Sequence, residues 1–301
     1  MAIGRVSDAQ TFRLLSDRAG SLQTAIRDLN EQIASGKRLV RPEQDPLGAG
    51  HVVRINADLA ALGQYQETSN FGTEVLNAED KALAEAHNLM VRAEEIATQQ
   101  ANGLLSASER LAAREEVHGI LQALTSLGNS EFLGRRLWGG LAVDATAPFA
   151  DPDSGGYTAA TAYVGSTQEF SVKIGGSAAE RVRVSTRGDT VFSNALVAVE
   201  SLEQTLAVNG NAATSLAGLA QGRADIARER ASVGGRSAQL LGRVTQVKGV
   251  TEQETAVRSQ VQDADLVSVL STLAQAQTAL QALLQAGSRT IQTSLASLLQ
   301  V

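Results

Sequence analysis

The chain has 301 residues, a net charge of −6, no cysteine and only 3% aromatic residues. Without a basic block it is not expected to bind nucleic acid. The absence of cysteine excludes a disulfide framework, a thiolate zinc site and a thiol nucleophile. The apolar mass is Ala, Leu, Val and Ile, which suits close helix–helix contact. Four prolines, in two pairs, leave two long proline-free stretches that are typical of long helices.

The first predicted helix lies near the start of the chain. The opening residues carry Asp8 and Arg13 and lack an apolar h-region, so no cleavable signal peptide is expected. The 3-4 spacing of apolar residues then predicts an a/d seam, formed by Phe12, Leu15, Ala19, Leu22, Ile26, Leu29 and Ile33. Ser35 and Gly36 predict the C-cap. Pro42 and Pro46 predict a structured loop after it.

Two further helices are predicted before the middle of the chain. The helical pattern resumes near Gly50 and continues to about Gln100, where Asn102 and Gly103 predict a break. Ser106 and Glu109 predict a capping box for the next helix. The buried face of that helix is predicted to carry Ala113, Val117, Ile120, Leu124 and Leu127.

The stretch from about 128 to 190 is rich in glycine and predicts a small β region. Alternating apolar residues in 169–174 and 180–184, with Gly175 and Gly176 between them, predict a hairpin. Arg181 and Arg183 are interpreted as a solvated strand face.

Helical pattern returns near Ser193 and continues to the end of the chain. A long helix is predicted from apolar residues spaced by seven, namely Leu219, Ile226, Val233, Leu240 and Val247. The run 266–288 then carries no charge, and its length would suit a membrane span. Four glutamines in it argue against membrane insertion, since each amide would need a partner in hydrocarbon. We therefore expect a terminal helix packed by other protein helices, on a heptad formed by Leu266, Leu270, Leu273, Leu280, Leu284, Ile291 and Leu298.

The predicted fold is mainly α. It is a long antiparallel helical bundle or coiled-coil rod formed by both chain termini, with a small β-rich inserted domain. The expected domains are a terminal coiled coil (1–45 with 258–301), a helical rod domain (46–130 with 190–257) and the β-rich insert (131–189). Contacts between copies of the chain are expected at Leu22, Ile26, Leu29, Ile33, Leu273, Leu280, Leu284 and Ile291. An intramolecular bundle with no larger assembly is the alternative.

No catalytic or binding motif is visible in the sequence. His51, His87 and His118 are isolated from further ligands, so no metal site is expected. Asp263 and Asp265, which precede an apolar helix, are interpreted as charges favourable to the helix dipole. We expect no catalytic residues, no cofactor and no enzymatic activity.

Four segments of the chain together resemble the flagellin superfamily, and within it most closely the family of hook-associated proteins at the hook–filament junction. They are LNEQIASGKRLVRPEQDPLGAG near the N-terminus, ANGLLSASERLAAREEVHGILQALTSLGNSEFLGRRLWGG in the middle, GDTVF at 188–192, and the tail from Asp263 to Leu299. Their order along the chain is more specific than any one of them. The β region has no such match.

The resemblance implies an extracellular structural protein of the bacterial flagellum, exported unfolded by the flagellar type III system. It implies a ring or tube of identical copies, with flagellin and the hook-side junction protein as partners and an export chaperone as a possible one. A flagellin that forms the filament itself is the first alternative. A coiled-coil signalling module is the second, from another class of protein.

Overall fold

The computed structural model describes residues 2–101, 106–142, 147–154 and 158–299, and within them the side chains of residue 10 and of 13–289. These ranges contain six α-helices. They are α1 (Ala2–Ser35), α2 (Pro46–Gln100), α3 (Ala107–Gly128), α4 (Gly188–Ala207), α5 (Leu216–Gln262) and α6 (Leu266–Leu299). The prediction of a mainly α fold with a small β region is confirmed.

Four short strands form two antiparallel pairs in the described residues. Strands β1 (Glu131–Phe132) and β2 (Arg135–Arg136) make the first pair, and β3 (Ser171–Lys173) and β4 (Arg181–Arg183) make the second. The second pair is the predicted hairpin, with Val172 opposite Val182. Turns and loops make up most of the rest of the described part of 131–189.

The ends of α1 and α3 follow the predicted caps. Gly36 follows α1 with a φ of +67°, a left-handed conformation that glycine adopts at little cost. Ser106 and Glu109 form both hydrogen bonds of a capping box at the start of α3. The break predicted at Asn102 and Gly103 lies outside the described residues.

Two helices begin earlier than predicted. Helix α2 starts at Pro46 rather than near Gly50, because proline is tolerated in a first turn and the Asp45 carboxylate accepts a hydrogen bond from the Gly48 amide (2.9 Å). Helix α4 starts at Gly188 rather than near Ser193. The Gly188 amide donates to the Trp138 carbonyl (3.0 Å), which satisfies one of the free N–H groups of the first turn.

The chain divides into two compact units. The first, the terminal unit, contains Met1–Ala60 and Val250–Val301, and the second, the central unit, contains Ala61–Gly249. Helices α2 and α5 contribute residues to both. The three-part division expected from the sequence stays a prediction.

The core of the central unit combines helix seams with a small aromatic cluster. All five apolar residues predicted on the long helix α5 are buried. Gly222 on α5 allows a close helix contact, since a Cβ there would lie 2.8 Å from the Ala195 Cα of α4. Trp138, Phe149 and Phe192 pack edge to face, with ring centroids 5.1 Å apart for Trp138 and Phe192 and 5.9 Å for Phe149 and Phe192.

Candidate assembly interface

Helices α1 and α6 form an antiparallel pair within the terminal unit. At one end the Ala264 amide donates to the Gly36 carbonyl (3.0 Å), and Lys37 pairs with Asp263 in a β-bridge. Farther along, a Cβ built on Gly287 would lie 3.9 Å from the Cδ1 of Leu15. The end of α1 therefore lies at the start of α6.

The two helices meet along a heptad seam that is only half-buried. Its residues follow the 3-4 spacing on both helices: Leu15, Ala19, Leu22, Ile26, Leu29 and Ile33 on α1, and Val269, Leu273, Ala276, Leu280, Leu283 and Gly287 on α6. No described side chain of 13–35 or 266–289 is buried. A pair of helices can cover only one stripe on each partner, which leaves the flanks of the seam open.

The leucines of α6 lie on two faces, although their spacing in the sequence predicts a single heptad. Leu273 and Leu280 lie in the seam. In contrast, Leu266, Leu270 and Leu284 are 44%, 53% and 57% exposed. Hydrophobicity alone could not separate the two faces, because apolar residues occupy adjacent positions such as 283 and 284 and either could have faced α1.

The predicted contact residues are therefore placed in three ways. Six of them lie in the seam: Leu22, Ile26, Leu29, Ile33, Leu273 and Leu280. Leu284 lies on the open face of α6. Ile291 belongs to the end of α6, where side chains lie outside the described residues. Their role as contacts between copies stays a prediction.

Two arginines bind the loop after α1 to neighbouring helices, a role that no motif in the sequence predicts. The Arg38 amide donates to the Gln262 carbonyl (2.7 Å), and its guanidinium donates to the Val261 carbonyl (2.8 Å) at the end of α5. The Arg41 guanidinium pairs with Glu31 on α1. For Arg38 the detectable signal was the type of residue, since basic side chains favour carbonyl groups at helix C-termini.

The aspartates before α6 have different roles. The Asp265 carboxylate accepts hydrogen bonds from the amides of Val267 (3.1 Å) and Ser268 (3.4 Å), so it caps α6 as its predicted position at a helix N-terminus implies. Asp263 accepts a hydrogen bond from the Ser259 hydroxyl at the end of α5.

His118 has acidic neighbours that the sequence did not reveal. Its ring nitrogens lie 3.0 Å from an Asp153 oxygen and 3.2 Å from a Glu203 oxygen. Burial acts to lower the pKa of His118, but these carboxylates outweigh it and leave the pKa raised. Among the described residues no cluster of three acidic or histidine side chains could hold a metal ion. None of the described helices is long and apolar enough to cross a membrane.

Comparison with a family model identifies a known region in the chain. Residues 13–141 match the model of the bacterial flagellin N-terminal helical region. This range contains most of α1, all of α2 and α3, and the β1–β2 hairpin.

Two curated flagellar proteins are similar to part of the chain. It is 32% identical over 130 residues to flagellar hook-associated protein 3 of Salmonella typhimurium, and 26% identical over 165 residues to that of Escherichia coli. The Salmonella match covers 43% of this chain and 40% of the relative, and the Escherichia match covers 54% and 49%. The chain therefore spans about half or less of the length of these relatives.

The fold is similar to that of a solved structure, a putative flagellar hook-associated protein from Vibrio parahaemolyticus. The TM-score is 0.64 with 16% identity, and the likeness covers 73% of this chain and 100% of the other. At 16% sequence identity, this similarity is evidence for a shared fold.

Proposed function

We propose that this chain, which carries the bacterial flagellin N-terminal helical region over residues 13–141 and resembles flagellar hook-associated protein 3, is a structural component of the bacterial flagellum at the junction of hook and filament. The function is assembly rather than catalysis. Copies of the chain associate through their terminal helices.

The open apolar face of α6 is the observation that carries this proposal. Leu266, Leu270 and Leu284 stand on a helix that has no charge from 266 to 288. They flank the stripe that packs on α1 and remain 44%, 53% and 57% exposed. Covering the exposed half of a leucine side chain stabilises an interface by roughly 1–1.5 kcal/mol, about half of the value for full burial. The exposed glutamines Gln277 and Gln281 lie one or two helical turns from Leu284 and provide hydrogen-bonding groups for the same contact.

A matched pair of leucines tests the interface. Leu284 on α6 and Leu111 on α3 are both 57% exposed. We expect Leu284→Asp to abolish attachment to filaments and Leu111→Asp to leave it intact, because only the first places a charge in the buried contact. Co-sedimentation with sheared filaments, together with motility of complemented cells, measures this. Normal attachment by Leu284→Asp, or equal loss in both variants, would contradict the proposal.

Leu280→Asp separates the seam from the open face. Leu280 lies in the seam, so this substitution should also unpair α1 from α6, and circular dichroism should show lost helix. Leu284→Asp should retain the helix content of the wild type. A loss of helix in both would mean that Leu284 also supports the monomer.

The alternative of a filament flagellin rests on the match to the flagellin N-terminal region. Seeding separates the two functions. A filament flagellin should elongate into long tubes when fragments of filament are added, whereas a junction protein should add only a short layer. Negative-stain microscopy of seeded and unseeded protein gives the answer.

Export and partners follow from the same proposal. The chain leaves the cell unfolded through the flagellar type III system, with or without a chaperone. It then contacts the hook-side junction protein and flagellin. Site-specific cross-linking from position 284 in flagellated cells tests these partners, and cross-links to neither protein would contradict them.

A further inference from the structure

A buried charged cluster in the central unit lies outside the proposed interface. The Glu79 side chain on α2 has no exposed surface. One of its oxygens accepts a hydrogen bond from the Thr186 amide (3.0 Å), and the other lies 2.9 Å from the Thr186 hydroxyl. Glu229 and Arg236 on α5 complete the cluster. It joins α2 and α5 to the segment between β4 and α4.

The Thr186 hydroxyl has more neighbours than two ionised carboxylates would allow. Its oxygen lies 2.9 Å from Glu79, 3.2 Å from Glu229 and 3.0 Å from the Arg236 guanidinium. The hydroxyl has one hydrogen, so it can donate to only one of two carboxylates. If both were ionised, one carboxylate oxygen would face the hydroxyl oxygen without a hydrogen between them.

A proton on Glu79 satisfies all three contacts. The Glu79 carboxyl then donates to the Thr186 hydroxyl oxygen, which also accepts from Arg236, and the Thr186 hydrogen goes to Glu229. Arg236 keeps one ionised partner, Glu229, to which it donates. Buried polar groups are strongly selected for such complete pairing.

We propose that Glu79 is a protonated carboxyl that latches the segment 183–187 to α2, and that loss of its proton in alkaline solution loosens this latch. The latch is defined by Glu79 and Thr186. It is independent of the terminal helices and of the proposed interface.

The surrounding charges agree with this protonation state. Burial raises the pKa of Glu79 to about 8, with Glu229 adding to the rise, while Arg236 and the Thr186 amide and hydroxyl, which would stabilise the ionised form, oppose it. Arg236 lies 3.9 Å from Glu79 but donates to Glu229. Arg183 on β4 pairs with Glu169 (2.6 Å) and lies 3.6 Å from Glu229, so it is not the solvated residue expected from the sequence.

The variant Glu79→Gln tests the latch, because glutamine keeps the geometry of the protonated carboxyl but cannot ionise. A carboxyl whose pKa is raised in the folded state binds a proton more tightly there, so its contribution to stability is lost as pH rises from the ordinary value towards about 8. The folding equilibrium constant of the wild type should therefore fall relative to Glu79→Gln, by up to about tenfold per pH unit in this window.

Urea unfolding of the full chain between pH 5.5 and 9, followed by fluorescence of its one tryptophan in the central unit, measures this ratio. Asp80→Asn is the matched control, since the neighbouring Asp80 is 43% exposed and pairs with Arg230. The ratio of the folding equilibrium constants of the wild type and Asp80→Asn should not change with pH. If the ratio for the wild type and Glu79→Gln did not change with pH either, the proposal would be overturned.

Two further measurements do not depend on stability. Infrared spectra of the wild type at pH 7 should contain a protonated-carboxyl band that Glu79→Gln lacks. Above pH 8, amide exchange at Thr186 should be faster in the wild type than in Glu79→Gln at the same pH. An unchanged infrared spectrum, or equal exchange in both proteins, would contradict the latch.

Discussion

At the scale of single residues, the Asn129 side chain pairs with the backbone of Phe149 as a neighbouring β-strand would. Its side-chain amide donates to the Phe149 carbonyl (2.9 Å), and its side-chain oxygen accepts from the Phe149 amide (2.8 Å). Phe149 in turn contacts Phe192 and Tyr163. One polar side chain thus holds an aromatic ring in the core of the central unit.

Asn129→Ala should destabilise the central unit by roughly 2–4 kcal/mol, since it leaves both backbone groups of Phe149 without this partner. Gln122→Ala is the control, because Gln122 is exposed and its bond to Asp153 should contribute little. Tryptophan fluorescence in a urea titration measures both. Equal midpoints for the two variants would show that the Asn129 bonds are dispensable.

Local pairs of residues could be predicted from the sequence, whereas distant pairs could not. Ser106 and Glu109 are three residues apart, and a helix start fixes their geometry. Glu79 and Thr186 are 107 residues apart, and Asn129 and Phe149 are 20 apart. Only the folded chain brings such groups within hydrogen-bonding distance.

At the scale of secondary-structure elements, two glycines of the first helix have opposite roles. Gly20 lies within α1 with nothing within 4 Å of a Cβ placed on it, whereas Gly36 ends the helix with a φ of +67°. The first weakens the helix, and the second permits its end.

Gly20→Ala should stabilise α1 by about 1 kcal/mol through helix propensity. Gly36→Ala should destabilise the same helix by a similar amount, because a Cβ is strained at positive φ. Each variant serves as the control for the other. Amide exchange of α1, measured residue by residue, should slow in the first and accelerate in the second, and a shift of the same sign in both would refute this assignment.

At the scale of the whole molecule, the two units differ in how much they bury. The central unit has a core of fully buried side chains, Trp138, Phe192 and Leu124 among them. In the terminal unit the described side chains of α1 and α6 are at most half-buried. The stability of a helix in water comes mostly from packing of its apolar face, so the terminal pair should be the weaker part.

Hydrogen exchange of the monomer should therefore be faster in α1 and α6 than in α3 and α4. Neighbouring copies of the chain should cover α6 on assembly and slow its amide exchange. Protection of α6 should therefore increase when the chain is added to sheared filaments. Equal protection of all four helices in the monomer would contradict the first expectation. Unchanged exchange of α6 on assembly would contradict the proposed interface.

Sequence patterns were sufficient to predict the mainly α fold, the seam of α1, the caps of α1 and α3, the β3–β4 hairpin and the buried stripe of α5. These follow from periodicity and from residues a few positions apart, whose geometry the helix or strand sets. Only long-range packing shows which apolar stripe of α6 faces α1, which carboxylates surround His118, and how Glu79 contacts Thr186. Those contacts join distant parts of the chain, and adjacent leucines such as Leu283 and Leu284 are equally apolar until a neighbouring helix covers one of them.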